Sequence, residues 1–286
     1  MPTAAYLHIP FCRRRCYYCD FAVSIVGDAP PQLAPTVSPS SISNAPTWHS
    51  IAQYVDILCQ EIISTPTGER SLDTVFFGGG TPSLLTVPQL EQILTTVDRH
   101  IGIASGAEIS VEMDPGTFDR AKLHGYSQLG VNRISLGVQA FQANLLAACG
   151  RSHTPNDIHA AVEAIHQVGL QNVSLDLISG LPHQTMDDWN ASLQQAIALD
   201  PTHLSVYDLT IEPETAFGRQ YTPGADPLPS DEQTADMYRL AQQTLTRAGF
   251  QHYEVSNYAK PGYQCRHNRV YWENRPYYGF GMGAAS

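Results

Sequence analysis

The sequence predicts an α/β fold, a partial barrel built from six βα units, and three observations lead to it. Short runs rich in β-branched and aromatic residues alternate with longer segments of helical period. The connections between successive runs have the lengths that right-handed crossovers use. Polar residues of chemical interest gather at or beyond the carboxyl ends of those runs, the face on which α/β barrels bind ligands.

In chain order, the first predicted strand is 5–9, stopped by Pro10, and the first helix is 51–63. Strand 73–77 runs into three glycines and is followed by helix 87–100; strand 108–112 leads to helix 119–129, which ends at Gly130. Strand 133–138 pairs with helix 155–168, ending at Gly169, and strand 173–178 with helix 186–199, just before Pro201. Strand 203–207 is the sixth, and helix 230–248 closes at Gly249. Six strands do not complete an eight-stranded barrel, so the predicted sheet leaves a lateral gap wide enough for a large substrate.

Residues 24–50 fall outside the pattern, being dominated by Pro, Ser, Ala and Thr without a period; they read as a mobile surface insertion in a barrel domain spanning 1–249. Beyond Gly249, 251–257 reads as one short strand. Residues 250–286 read as the start of a C-terminal region, and the closing Gly279-Phe-Gly-Met-Gly-Ala-Ala-Ser286 suggests that this region continues past the chain.

Twenty-seven acidic against sixteen basic residues give the 286-residue chain a formal charge of −11, and only Lys122 and Lys260 are lysines. A nucleic-acid partner, which needs a basic face, is not expected. No stretch approaches the roughly 20 apolar residues of a membrane span, and the N-terminus lacks a secretory signal core, so a soluble cytoplasmic protein is expected.

Three of the six cysteines lie within eight residues, in Cys12-Arg-Arg-Arg-Cys16-Tyr-Tyr-Cys19, immediately after the first strand. Thiolates suit zinc or an iron–sulfur cluster. A structural zinc would need a fourth ligand, such as His8, Asp20 or a distant cysteine, whereas three thiolates hold a four-iron cluster with one iron open. The spacing favours the cluster, with zinc and an inert trio of thiols as alternatives. The intervening arginines are expected to favour thiolate over thiol.

Gly78-Gly-Gly-Thr-Pro82 has neither the lysine of a nucleotide P-loop nor a dinucleotide fingerprint; by itself it reads as a tight turn that lets backbone amides approach a ligand. Glu112, Asp114, Gln139 and Asp176 each read singly as polar residues at strand ends. Together with Cys12, Gly79 and Tyr207 they mark one face of the barrel. Cys265-Arg-His-Asn-Arg-Val-Tyr-Trp272 offers Cys265 or His267 to haem iron, Arg266 and Arg269 to propionates and two rings to a porphyrin, but composition alone favours an aromatic segment packed on the barrel with His267 hydrogen-bonded.

Taken together, Tyr6-Leu-His-Ile-Pro-Phe11, Cys12-x3-Cys16-x2-Cys19 and Gly78-Gly-Gly-Thr-Pro82 resemble the radical S-adenosylmethionine superfamily. Val111-Glu-Met-Asp-Pro-Gly116, Ser135-Leu-Gly-Val-Gln-Ala-Phe141 and Asp176-Leu-Ile-Ser-Gly-Leu-Pro182 are similar to the branch containing oxygen-independent coproporphyrinogen III oxidase and the haem chaperones of the HemW type. The resemblance implies a [4Fe-4S] cluster on Cys12, Cys16 and Cys19, with S-adenosylmethionine chelating the open iron and one electron cleaving it to a 5′-deoxyadenosyl radical. It implies S-adenosylmethionine contacts from Tyr6, Gly79, Gly80, Thr81, Glu112, Gln139, Arg151 and Asp176.

Two departures divide the branch. Phe21 stands where the oxidase has a further cysteine, and the oxidase's N-terminal arm ahead of the cluster is not seen here. His267-Asn-Arg-Val-Tyr-Trp272 matches the His-Asn-x-x-Tyr-Trp element associated with haem in the chaperones. The resemblance therefore favours a haem chaperone, with His267 in the haem site, the iron ligand itself left open, and haem passed to acceptor proteins at respiratory membranes, over a radical oxidative decarboxylase of porphyrin biosynthesis.

Overall fold

The computed structural model describes residues 1–27 and 50–285. One nine-stranded sheet organises them. Its six central strands are parallel, β1 (Ala4–Ile9), β4 (Leu72–Gly79), β5 (Ile103–Met113), β6 (Arg133–Gln139), β7 (Asn172–Ser179) and β8 (His203–Asp208), and they are neighbours in that order. These are the six predicted strands, each within five residues of its expected ends. The sheet has two ends and remains an open, partial barrel.

Alternation along each strand divides the sheet into two unlike faces. Val75 and Phe77, Ile109 and Val111, Ile134 and Leu136, Val173 and Leu175, Leu204 and Val206 point outward and are buried. Helices cover them: α1 (Ile51–Ser64), α2 (Val87–His100), α3 (Arg120–Gln128), α5 (Pro155–Gln167), α6 (Met186–Ala198) and α8 (Asp231–Arg247). Their starts carry the caps that the sequence signals, with reciprocal capping boxes at Thr86/Gln89, Thr154/Asp157, Thr185/Asp188 and Ser230/Gln233. The alternate positions turn into the barrel and are polar: Thr74, Glu108, Ser110, Glu112, Arg133, Ser135, Ser174, Asp176, His203 and Ser205. The main apolar core therefore sits between sheet and helices, and the inside of the half-barrel is mostly polar, with Phe76 and Ile178 among its apolar members.

Several segments differ from expectation. Ser24 and Ile25, expected in the irregular insertion, form β3, which pairs with β2 (Phe11–Cys12) and fastens the far end of the cysteine loop to the first strand. The rest of that insertion, 28–49, lies outside the described residues. The single strand expected at 251–257 is a hairpin of β9 (Gln251–His252) and β10 (Asn257–Ala259), with β10 antiparallel to β8. Short helices α4 (Ala143–Ala148), α7 (Ala216–Gln220) and α9 (Arg266–Trp272) were not predicted, since two turns or fewer carry little periodic signal. The glycine-rich end includes β11 (Tyr278–Phe280), which adds a parallel edge strand to β1. Strands β9, β10 and β11 thus extend both ends of the sheet that the six central strands build.

Candidate functional site

Ten of the residues singled out in the sequence line one cavity of about 450 Å³ at the carboxyl ends of the central strands: Cys12, Cys16, Cys19, Gly79, Gly80, Thr81, Glu112, Gln139, Arg151 and Asp176. The volume suits a nucleoside-sized ligand. Tyr207 lines it as well.

The cysteine loop is held from several sides. The Cys19 amide donates to the Cys16 carbonyl, the Tyr17 amide to the Cys149 carbonyl, and the Val26 amide to the Cys12 carbonyl. Arg13 donates to the Gly116 carbonyl, and Arg15 to the carbonyls of Cys19 and Val23. Two of the loop arginines therefore tie down backbone. The guanidinium that reaches a thiol is a distant one: Nη1 of Arg151 lies 3.4 Å from Sγ of Cys16. Burial pushes the Cys12 thiol up to about 12 and raises Cys19.

Among the described residues, no three Cys, His, Asp or Glu side chains converge closely enough for a single metal ion. Three soft donors spread along one cavity wall suit a polynuclear iron–sulfur guest, larger than an ion and able to draw thiols into thiolates on binding.

The glycine turn is dictated by space. Gly79 has φ +107°, and a Cβ there would lie 2.5 Å from the His8 ring; at Gly80 it would lie 2.7 Å from the Phe11 carbonyl oxygen. Side chains are excluded, so backbone faces the cavity. The Gly79 amide donates to Glu112 Oε2 at 3.1 Å. Burial, reinforced by neighbouring Asp176, pushes the Glu112 carboxyl up to about 8.

Opposite, Asp176 accepts from Ser135 with both oxygens, at 3.0 and 3.1 Å, and from Ser174 at 3.1 Å. Gln139 sits at φ +67°, just past a register shift in β6 that gives the strand one extra residue. A left-handed non-glycine residue at a bulge is a costly way to aim a side chain, and here it aims at the cavity. Ser135 was missed in the sequence. Its position two residues before Gly137 puts it on the cavity face of β6, a period-two signal that was there to be read, whereas Gln139 reaches the same cavity by way of the bulge.

Two predicted residues lie elsewhere. Tyr6 does not line the cavity; its hydroxyl lies 3.1 Å from Nδ1 of His8 and its ring stacks on Phe76, deeper in the half-barrel. His267 is at the amino end of the strands, 1% exposed. Its Nδ1 is 2.8 Å from Oγ1 of Thr74 and its Nε2 is 2.9 Å from Oη of Tyr271, while its ring stacks on Phe76 with centroids 5.1 Å apart. Glu108 accepts from the amides of Arg266 and His267, fixing the start of α9. Burial and nearby Arg133 push the imidazole down to about 3. A neutral ring with both nitrogens engaged has no lone pair to offer iron, so His267 in this arrangement does not fit a resident haem ligand.

Comparison with known proteins adds a lineage to this geometry. Residues 6–196 match the Radical SAM superfamily. The chain is 53% identical, over all 286 of its residues, to "Heme chaperone HemW" of Synechocystis sp., covering 66% of that protein. It is 40% identical to the Escherichia coli "Heme chaperone HemW" over 99% of this chain and 69% of the relative. The chain thus spans about two thirds of the length of these relatives. In structure it resembles the Escherichia coli radical SAM coproporphyrinogen III oxidase HemN, with a TM-score of 0.79 and 25% identity over 99% of this chain and 64% of that one.

Proposed function

Because the chain belongs to the radical SAM superfamily, in the group of the HemW haem chaperones, we propose that it is the barrel portion of a haem chaperone that binds a [4Fe-4S] cluster on Cys12, Cys16 and Cys19 and S-adenosylmethionine beside it. The observation that carries this reading is the gathering of three thiols, the Gly79–Thr81 turn, Glu112, Gln139 and Asp176 on one cavity. The cluster, when bound, supplies one-electron chemistry and an open iron for the amino acid end of the ligand.

The side chains divide the remaining work. The backbone at Gly79 and Gly80 lets the ligand lie against the turn without a side chain between them. Glu112, protonated near neutral pH when nothing positive is near it, releases its proton as the ligand's ammonium arrives and then pairs with that charge. Asp176, oriented by Ser135 and Ser174, accepts from the ribose hydroxyls. Gln139 offers an amide at the rim.

Haem is the cargo in this reading, received and handed on to cytoplasm-facing acceptors at respiratory membranes. Support comes from the relatives' names and the shared His-Asn-x-x-Tyr-Trp sequence, and no step is assigned to His267.

The test is anaerobic reconstitution. Four irons and four sulfides per chain, lost in Cys12→Ala, Cys16→Ala or Cys19→Ala, together with saturable S-adenosylmethionine binding, are expected. Bound zinc without iron would overturn the cluster. Parallel assays of haem binding and of anaerobic coproporphyrinogen III turnover separate chaperone from oxidase, since vinyl product would favour the latter.

A further inference from the structure

The cavity wall contains a chain of contacts that ligand binding as described does not use. Thr81 Oγ1 lies 3.3 Å from Oδ2 of Asp114. The other carboxylate oxygen, Oδ1, pairs with Nη2 of Arg151, which also donates to the Gly137 carbonyl at 2.8 Å. Both hydrogens of Nη2 are thereby spent, and the planar guanidinium leaves Nη1 facing Sγ of Cys16 at 3.4 Å. The Arg151 side chain is 7% exposed, which shields its guanidinium from water, while the Asp114 side chain is 30% exposed.

Gly137 makes the arrangement possible. A Cβ there would lie 2.8 Å from Asp114 Oδ1 and 3.1 Å from Arg151 Nη2, breaking up the pair. Thr81 Oγ1 also lies 3.6 Å from Sγ of Cys12, so its hydroxyl is within reach of both that thiol and the Asp114 carboxylate. Cys16 is thus a cluster thiol within hydrogen-bond reach of a buried guanidinium.

We infer that Asp114 is a positioning residue that clamps Arg151 so that its Nη1 donates a charge-assisted hydrogen bond to the Cys16 thiolate, making the cluster easier to reduce and the iron on Cys16 distinct from the others. The inference rests on the cluster proposed above. An N–H aimed at a cluster sulfur stabilises the extra negative charge of the reduced state, and hydrogen bonds to the sulfurs are a recognised determinant of cluster potential. The orientation comes from a carboxylate that itself touches no sulfur. Arg151, read from the family resemblance as a ligand contact, on this view faces the cluster as well.

The experiment uses the reconstituted holoprotein, reduced and exchanged into D₂O. Wild type is expected to show an exchangeable-proton hyperfine coupling to the cluster by pulsed electron–nuclear double resonance. Arg151→Met should lose that coupling and lower the midpoint potential, so that the reduced-to-oxidised ratio at the wild-type midpoint falls about tenfold, the equivalent of one hydrogen bond to a charged group. Asp114→Ala should lose the coupling with Arg151 still present and iron and sulfide content unchanged, and Asp114→Asn, which keeps an acceptor oxygen, should restore it. A coupling that persists in Asp114→Ala, or an unmoved potential in Arg151→Met, would overturn the inference while leaving the cluster reading intact. A wild-type protein that takes up no four-iron cluster would overturn both.

Discussion

Nδ1 of His267 lies 2.8 Å from Oγ1 of Thr74, and this contact fastens helix α9 to the amino end of β4, at the opposite end of the strand from the Gly79–Thr81 turn. The His-Asn-x-x-Tyr-Trp segment and the cysteine cavity thus occupy two ends of one half-barrel. What α9 does for stability and what the cavity does for ligands are separable by mutation.

Thr74→Val should destabilise the fold by about 1–3 kcal/mol, because it leaves a buried imidazole nitrogen without its partner. Thermal or urea denaturation measures the loss. Iron and sulfide content after reconstitution should match wild type, and a parallel loss of cluster would show that the two ends are not independent.

His267 also gives the protein an acid-sensitive side. Held down to about 3 in the folded state, against about 6.5 when unfolded, the ring binds more protons in the unfolded chain across that interval. Stability therefore falls as pH drops from about 6.5 towards 3. Urea midpoints measured across this range should decline more steeply in wild type than in His267→Gln; identical slopes would refute the assignment.

Glu112 acts in the opposite sense. Its carboxyl keeps a proton up to about pH 8 in the folded protein, while the unfolded chain releases it near 4.3. The stability of the ligand-free protein should fall as pH rises through that window. Glu112→Gln, which cannot ionise, should be more stable than wild type at pH 8 and nearly equal at pH 4.5. The proposed pairing with the ligand's ammonium adds that the same variant binds S-adenosylmethionine more weakly, which calorimetric titration would reveal.

Gly80→Ala tests the turn. Its Cβ would meet the carbonyl oxygens of Phe11 at 2.7 Å and Ile9 at 2.9 Å, both backbone atoms that cannot swing aside. We expect a loss of about 1–3 kcal/mol from overpacking and weakened S-adenosylmethionine binding. An unperturbed melt would mean that the Phe11 strand end yields more easily than the geometry implies.

Much of this was legible in the residues. The strands announced themselves because their outward positions, such as Val75 and Phe77 or Leu175 and Leu177, must be apolar to meet the helices, and the helices carry Ser or Thr caps at their starts. Gly79, Glu112, Gln139, Asp176 and Tyr207 were found by their place at strand ends and the cysteines by their spacing, whereas Gly80, Thr81 and Arg151 came from the family resemblance alone. The short elements α4, α7 and β11 were not, because they are held by tertiary contacts that leave no period in the chain.

By itself, the sequence determined which residues become the six central strands and the long helices between them, and which end of the sheet carries thiols, glycines and carboxylates, because periodicity and turn chemistry are local properties. Only the tertiary structure decided that a guanidinium from 135 residues away, that of Arg151, reaches Sγ of Cys16. It likewise decided that His267 faces Thr74 and Tyr271 inside the barrel instead of a ligand outside. Both outcomes depend on how distant strands are registered and which side chains share a buried space, and a linear pattern carries no record of either.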